Sequence, residues 1–196
     1  MKLLIATRNA HKLQEITALF AGHGLTIVSA LDYPDIPDVE EDGKTLEANA
    51  CKKAETLCQA TGLPALADDT GLEVAALGGA PGVYSARYAG VPPDYAANNR
   101  KLLAELTGHR DRSARFRCVI ALARPGQPTE WVEGICAGAI ALAPRGEQGF
   151  GYDPLFIPNG QPSTFAELSE AEKNRISHRG LALAAAQTKW SDWLHD

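Results

Sequence analysis

The opening stretch restricts the fold most: an apolar run, a helix and a second apolar run follow one another within residues 1–28. Leu3-Leu4-Ile5-Ala6 is a continuous apolar run of strand length, the pattern of a strand covered on both faces. Thr7-Arg8-Asn9-Ala10-His11-Lys12 then leads into a helix. Asn9 is a good N-cap, Leu13, Ile16 and Phe20 recur at helical spacing, and Gly22 and Gly24 stop it. Leu25-Thr26-Ile27-Val28 is the second strand. Strand, helix, strand in this length predicts a βαβ unit, hence an α/β protein with its sheet flanked by helices. The first strand-to-helix junction also carries chemistry. Backbone N–H groups at a helix start attract anions, and Arg8 and Lys12 lie close by. The Gly-x-x-x-x-Gly-Lys-Ser/Thr pattern of a Walker A loop is absent, so a solvated basic helix start is the competing reading.

Residues 32–44 are rich in Asp, Glu and Pro and break all periodicity, which predicts a surface loop carrying Glu40 and Glu41. A helix is expected over about 45–60, with Leu46, Ala50, Ala54 and Leu57 on one face. Asn49 and Lys53, four apart, form a polar stripe that faces either a ligand or water. Next comes Ala65-Leu66-Ala67-Asp68-Asp69-Thr70-Gly71, an apolar run with two adjacent carboxylates at its end. Successive side chains on a strand point to opposite faces, so Asp68 and Asp69 should not do the same work. Two readings stand on these residues alone. One is a metal ligand and a water-orienting base at a strand end; the other is an acidic turn.

Gly78-Gly79-Ala80-Pro81-Gly82 is a dense turn signal, followed by Arg87 between Tyr84 and Tyr88, placed to contact phosphate or to stack. Leu102, Leu103 and Leu106 mark a helix at about 94–107. Phe116, Cys118, Ile120 and Leu122 alternate with Arg115, Arg117 and Val119, and Pro125-Gly126-Gln127-Pro128 turns the chain back towards Trp131–Ile140. This reads as a long β-hairpin at about 114–142, either a second lobe or an extension of a mixed sheet. In Gly149-Phe150-Gly151-Tyr152-Asp153-Pro154 the glycines allow close backbone approach, and Phe150 and Tyr152 can offer flat faces to a base; a plain glycine-aromatic turn is the competing reading. Leu155-Phe156-Ile157 is a short strand closed by a Pro-Asn-Gly turn. Lys173, Arg175, His178 and Arg179 then fall within seven positions, with the His-Arg pair opening a helix after Ser177. Leu183, Trp190 and Leu194 suit a packed C-terminal helix ahead of the tail at Asp196.

With 196 residues, the chain suits one domain or two closely packed lobes. A net charge of −5 disfavours a role in coating nucleic acid. Cys51, Cys58, Cys118 and Cys136 lack the paired spacing of a zinc site and read as buried thiols in a reducing compartment. No run approaches a membrane span, and polar residues follow Met1–Ala6 too soon for a secretory core. A cytoplasmic protein without membrane or nucleic-acid partners is the expectation.

Five of these stretches, in this order, resemble the inosine/xanthosine triphosphate pyrophosphatase family, the house-cleaning enzymes for noncanonical purine nucleotides. They are Thr7–Lys12, Ala67–Gly71, Gly78–Tyr88, Phe150–Pro154 and Ser177–Arg179. The resemblance spans essentially the whole chain. It implies a single pyrophosphatase domain built on an elongated mixed β-sheet flanked by helices, with two lobes around a central nucleotide-binding cleft. One lobe would be built partly from the hairpin at about 114–142. It also implies a homodimer and a Mg2+-dependent cleavage between the α- and β-phosphorus atoms of ITP, dITP or XTP. Carried over by motif, Thr7, Arg8, Asn9, Ala10, His11 and Lys12 hold phosphate. Asp69 is the metal-bound catalytic base, and Thr70 touches substrate. Phe150, Gly151, Tyr152, Asp153, Lys173, His178 and Arg179 form the nucleoside side. Glu40 or Glu41 supplies a further metal ligand, with Glu40 slightly favoured. Arg8 stands where glycine is often found, and Thr70 where serine is usual. The alternatives are a pyrophosphatase for other modified nucleotides and a non-catalytic nucleotide-binding protein on the same scaffold.

The residue types suit that chemistry. An ordinary Asp, at pKa about 3.9, faces water at about 15.7, a gap of roughly 16 kcal/mol, so a carboxylate alone is a poor base here. A bound cation must share the work by acidifying water and neutralising phosphate. Hypoxanthine and xanthine present a 6-oxo acceptor where adenine presents a 6-amino donor. Lys173, His178 or Arg179 would donate to the former and meet a second donor in the latter, a discrimination of roughly 10⁴ or more.

Overall fold

The computed structural model describes residues 1–20 and 24–195, with the backbone alone at Leu19, Leu194 and His195. Gly22, the Leu194 side chain and Asp196 lie outside the described residues. The expected βαβ opening is present. Strand β1 (Lys2–Ile5) leads through helix α1 (Ala10–Phe20) to β2 (Thr26–Ser29), and β1 and β2 pair in parallel from Lys2↔Thr26 to Ile5↔Ser29. Leu3, Leu4 and Ile5 are fully buried, as a strand covered on both faces requires.

Helix α2 (Leu46–Thr61) begins at an N-cap, Thr45, whose side chain accepts from the Ala48 amide, and ends at Gly62 in the left-handed region. Its expected apolar face, Leu46, Ala50, Ala54 and Leu57, is buried. Strand β3 (Ala65–Val74) follows and pairs in parallel with β1 at Leu4↔Ala65 and Ile5↔Leu66. The sequence placed the two aspartates at a strand end; instead β3 continues through them for five more residues. The reason lies downstream. Leu72 and Val74 are fully buried, and the second half of β3 pairs antiparallel with β4 (Pro81–Gly82). Asp-Asp-Thr-Gly is therefore strand and not turn.

Helix α3 (Tyr95–Glu105) is capped by Asp94 and is shorter than the expected 94–107. Strands β5 (Ser113–Ala123) and β6 (Glu130–Ile140) are neighbours in the sheet, joined by residues 124–129, which is the expected hairpin. The alternation in β5 holds only in its first half: from Cys118 onward Val119, Ala121 and Ala123 are buried as well. Strand β7 (Phe156–Pro158) pairs antiparallel with β6. The seven-stranded sheet has the order β2-β1-β3-β5-β6-β7, with β4 on β3, and it is mixed, as expected. Helices α4 (Glu170–Ile176), α5 (His178–Lys189) and α6 (Ser191–His195) complete the chain. The expected C-terminal helix is thus two helices separated at Trp190, with Leu183 and Trp190 both buried.

The chain divides into two compact units. The first comprises Met1–Asp69, Cys118–Gly134 and Ala182–Asp196; its core gathers Leu3, Ile5, Ile16, Phe20, Leu66 and Trp190. The second comprises Thr70–Arg117 and Ile135–Leu181, around Leu72, Leu102, Phe116, Phe156 and Phe165. The expected hairpin therefore contributes its tip to the first unit and its base to the second. Among the described residues no helix is long and apolar enough to cross a membrane. Cys58, Cys118 and Cys136 are buried, Cys51 is half-buried, and all four remain thiols.

Candidate active site

In the first unit, the turn between β1 and α1 is organised by its own side chains. Thr7 Oγ1 accepts from the Asn9 amide at 3.2 Å. Asn9 Oδ1 accepts from the amides of His11 at 3.0 Å and Lys12 at 3.3 Å, which makes Asn9 the N-cap that its residue type predicted. Two of the helix-start donors expected to face an anion are therefore already engaged. The Lys12 ammonium supplies the full positive charge at this turn, with its Nζ 3.0 Å from Asp68 Oδ2. Arg8 points elsewhere. Its guanidinium donates to the Ile36 carbonyl at 2.5 Å and lies 2.7 Å from Asp38.

Strand alternation separates the two aspartates, as the sequence required. Leu66 packs with Ile16 and Phe20 of α1, and Asp68, two residues on, meets Lys12 of the same helix. Asp69 meets α2 instead. Lys53 Nζ lies 3.5 Å from Asp69 Oδ1 and donates to Glu41 Oε1 at 2.7 Å and to the Asp68 carbonyl at 2.6 Å. The polar stripe of α2 faces neither water nor a bare pocket. Asn49 is 1% exposed and accepts from the Gly43 amide at 2.8 Å, while Lys53 is 9% exposed. The sequence left Lys53 between ligand and water, and the structure sets its ammonium among Glu41, Asp69 and the Asp68 carbonyl. Its four-residue spacing from Asn49 was visible, but periodicity alone does not say which polar face is buried.

Burial pushes the Asp69 carboxyl above the ordinary aspartate range; Lys53 opposes the shift, and Glu41 adds to it. Burial also works against the Lys53 ammonium, but Asp69, Glu41 and Asp68 together outweigh it and hold its pKa above the usual value. Lys53 thus stays charged between two carboxylates that would otherwise repel. Glu40, one residue away, is exposed. Asp69 Oδ2 is buried without a hydrogen-bond partner among the described residues. A buried carboxylate oxygen in that state, with Glu41 sharing its lysine, is a hard-oxygen donor set that fits a divalent cation. Among the described residues no group of three or more His, Cys, Asp or Glu is placed to hold a metal ion.

Lys53→Met is expected to destabilise the protein by about 3–5 kcal/mol, because it strands the buried Asp69 carboxylate, beside half-buried Glu41, without its counter-charge. Urea denaturation with and without added magnesium chloride checks this. Partial recovery in magnesium is expected only if the cation takes the place of the lost ammonium.

The second unit begins one peptide bond further along β3, at Thr70, whose Oγ1 accepts from Arg179 Nη2 at 3.3 Å. Ser177 ends α4, and His178 and Arg179 open α5, 4% and 3% exposed. The His178 ring stacks on Phe116, with centroids 4.4 Å apart and planes 15° from parallel. Lys173 Nζ lies 2.7 Å from Asp153 Oδ2, and the same oxygen accepts from the Phe150 amide at 2.9 Å. Lys173 and Arg179 both lie over the Phe150 ring, at 5.2 Å and 5.7 Å from its centroid. Gly149 has φ +76°, and a Cβ there would meet Asp153 Oδ2 at 2.0 Å, so only glycine lets this turn close.

The structure thus brings Phe150, Asp153, Lys173 and Arg179 together, with His178 on the neighbouring position. Tyr152 differs from its expected role as a flat face. It is 4% exposed, packs in the core of the second unit, and donates its hydroxyl to the Ser85 carbonyl at 2.8 Å. Phe150 is the half-buried aromatic of the turn. Arg87, left between phosphate and stacking by its sequence, lies 5.4 Å over the Tyr84 ring.

The family model for the Ham1 family matches residues 3–189 of this chain. The chain belongs to the Ham1 family. A dITP/XTP pyrophosphatase of Syntrophobacter fumaroxidans is 53% identical over 98% of the chain and 84% of that protein. Another, of Geobacter sulfurreducens, is 54% identical over 93% of each. The solved structure of a HAM1 protein from Coxiella burnetii, 42% identical, superposes with a TM-score of 0.91 over 98% of this chain and 99% of that one. The Ham1 fold is therefore the α/β architecture described above.

Proposed function

We propose that this Ham1 protein is a pyrophosphatase that hydrolyses dITP, ITP and XTP to the monophosphate and pyrophosphate, removing them from the nucleotide pool. One observation carries the reading: Asp69, buried and raised in pKa, has an oxygen available beside Glu41 and Lys53. A non-catalytic nucleotide binder would have no use for a costly buried carboxylate beside a polyanion. With magnesium bound to Asp69 and Glu41, the cation would supply charge neutralisation for the phosphates and acidify water.

Asp69 orients the attacking water and takes its proton. Glu41 is the second ligand in preference to Glu40, because Lys53 holds it beside Asp69 while Glu40 faces solvent. Lys12 steadies the phosphates, positioned by Asp68, which gives the first aspartate its role. Thr7, Asn9, Ala10 and His11 shape the turn that receives them. Phe150 offers its ring to the purine, Gly151 and Asp153 shape the turn around it, and Lys173, His178 and Arg179 supply donors for the 6-oxo group. Thr70 accepts from Arg179 and holds it in place, while Tyr152 anchors the turn to the Ser85 carbonyl. The active protein is a cytoplasmic homodimer that needs neither nucleic acid nor membrane.

The test is pyrophosphate release from dITP, ITP, XTP and the four standard triphosphates, with and without magnesium. The 6-oxo purines other than guanine are expected to be preferred over ATP by about 10² or more, with turnover lost in chelator. Equal rates on methylated pyrimidine nucleotides would favour a pyrophosphatase of broader repair function. Arg179→Ala should erode the preference, and unchanged selectivity would move base recognition to other residues.

A further inference from the structure

Arg8 sits on the β1–α1 turn, but both of its contacts are with the acidic loop, at Ile36 and Asp38. The far end of that loop is fastened separately from α2. Lys53 holds Glu41 at 2.7 Å, Lys52 holds Asp42 at 2.6 Å, and Asn49 holds the Gly43 amide at 2.8 Å. Exposed Glu40 lies between the two attachments. The loop carries Asp35, Asp38, Glu40, Glu41 and Asp42, so its carboxylates repel one another and would repel any phosphate brought near. Without Arg8, the stretch between the Ser29–Asp32 turn and residues 41–43 would lose its side-chain fastening to the β1–α1 turn, and its freer motion would reach Glu41 at its end.

We propose that Arg8 is a positioning residue, a strap that ties the acidic loop to the β1–α1 turn and so holds Glu41 in place from both ends of the loop. The consequence for cation loading rests on the function proposed above; the strap itself does not. Arg8 and Asp38 are both exposed, and an exposed ion pair adds little to global stability. Its effect falls on local opening of the loop, whose free energy is small enough for one planar, two-pronged contact to matter.

Hydrogen exchange of the residue 36–43 amides in the ligand-free protein tests the strap directly. Arg8→Ala and Asp38→Ala are each expected to speed exchange there about three- to tenfold, with amides of α1 and β3 unchanged. The double variant should be no faster than Arg8→Ala, and Arg8→Lys should fall between, since lysine lacks the fork. The magnesium concentration giving half-maximal dITP hydrolysis should rise by a similar factor in Arg8→Ala and Asp38→Ala. Loop exchange at the wild-type rate in Asp38→Ala, with dITP binding weakened only in Arg8→Ala, would make Arg8 a phosphate ligand and overturn the proposal. Faster exchange spread evenly over the whole unit would overturn it too. If the wild-type protein hydrolyses none of the nucleotides, the functional reading fails while the exchange experiment still decides the strap.

Discussion

Asp69→Asn is expected to abolish dITP turnover while leaving the protein folded. Loss of a general base alone typically costs a factor of about 10²–10⁴, and in the proposed site the same substitution would also weaken a ligand for the cation. A fall of at least about 10³ in kcat follows. Stability should not follow it down. The carboxylate is buried and its pKa raised, so the folded protein disfavours its charge, and a neutral amide of the same shape removes repulsion with Glu41. Lys53 keeps its contacts with Glu41 and the Asp68 carbonyl. Pyrophosphate release and urea denaturation, measured on the same preparation, check both halves. A near wild-type rate in magnesium would remove Asp69 from the role of base.

Asp153→Ala should strongly destabilise the second unit, by about 3–5 kcal/mol. The Asp153 and Lys173 side chains are 5% and 7% exposed, so the lysine left behind would be a charge buried among Phe150 and Phe165. The same carboxylate also holds the Phe150 amide, and the turn that presents the aromatic ring loses its anchor. KM for dITP should therefore rise in whatever protein remains folded. Asp153→Asn keeps an acceptor for the amide but not the charge, and is expected to lose stability with a smaller rise in KM. Denaturation midpoints and initial rates on both variants separate the ion pair from the turn. A loss below about 1 kcal/mol in Asp153→Ala would mean that the pair is not what holds this turn.

Much of the architecture was written in short-range signals. Asn9 caps α1 because its side chain reaches amides two and three residues on, a matter of local geometry alone. The buried face of α2 followed from helical period, and the opening βαβ unit from a covered strand, a cap and a second strand. The separation of Asp68 from Asp69 was equally local, since alternation along a strand needs no knowledge of what lies on either side.

Tertiary structure decided the rest, and in each case the deciding group is distant in sequence. Asp-Asp-Thr-Gly has good turn chemistry, and it is strand because Leu72 and Val74 have a partner in β4 and a core to enter. Glu40 and Glu41 are neighbours in an aperiodic loop; only the reach of Lys53 from α2 distinguishes them. Phe150 and Tyr152 share a turn, and the carbonyl of Ser85, far away in the chain, takes the tyrosine inward. The sequence alone thus determined which residue types stand on which element and face, because cap reach and strand or helix period act over a few residues. Only the tertiary structure determined which polar groups are buried together, because desolvation and charge pairing depend on what the rest of the chain brings beside them.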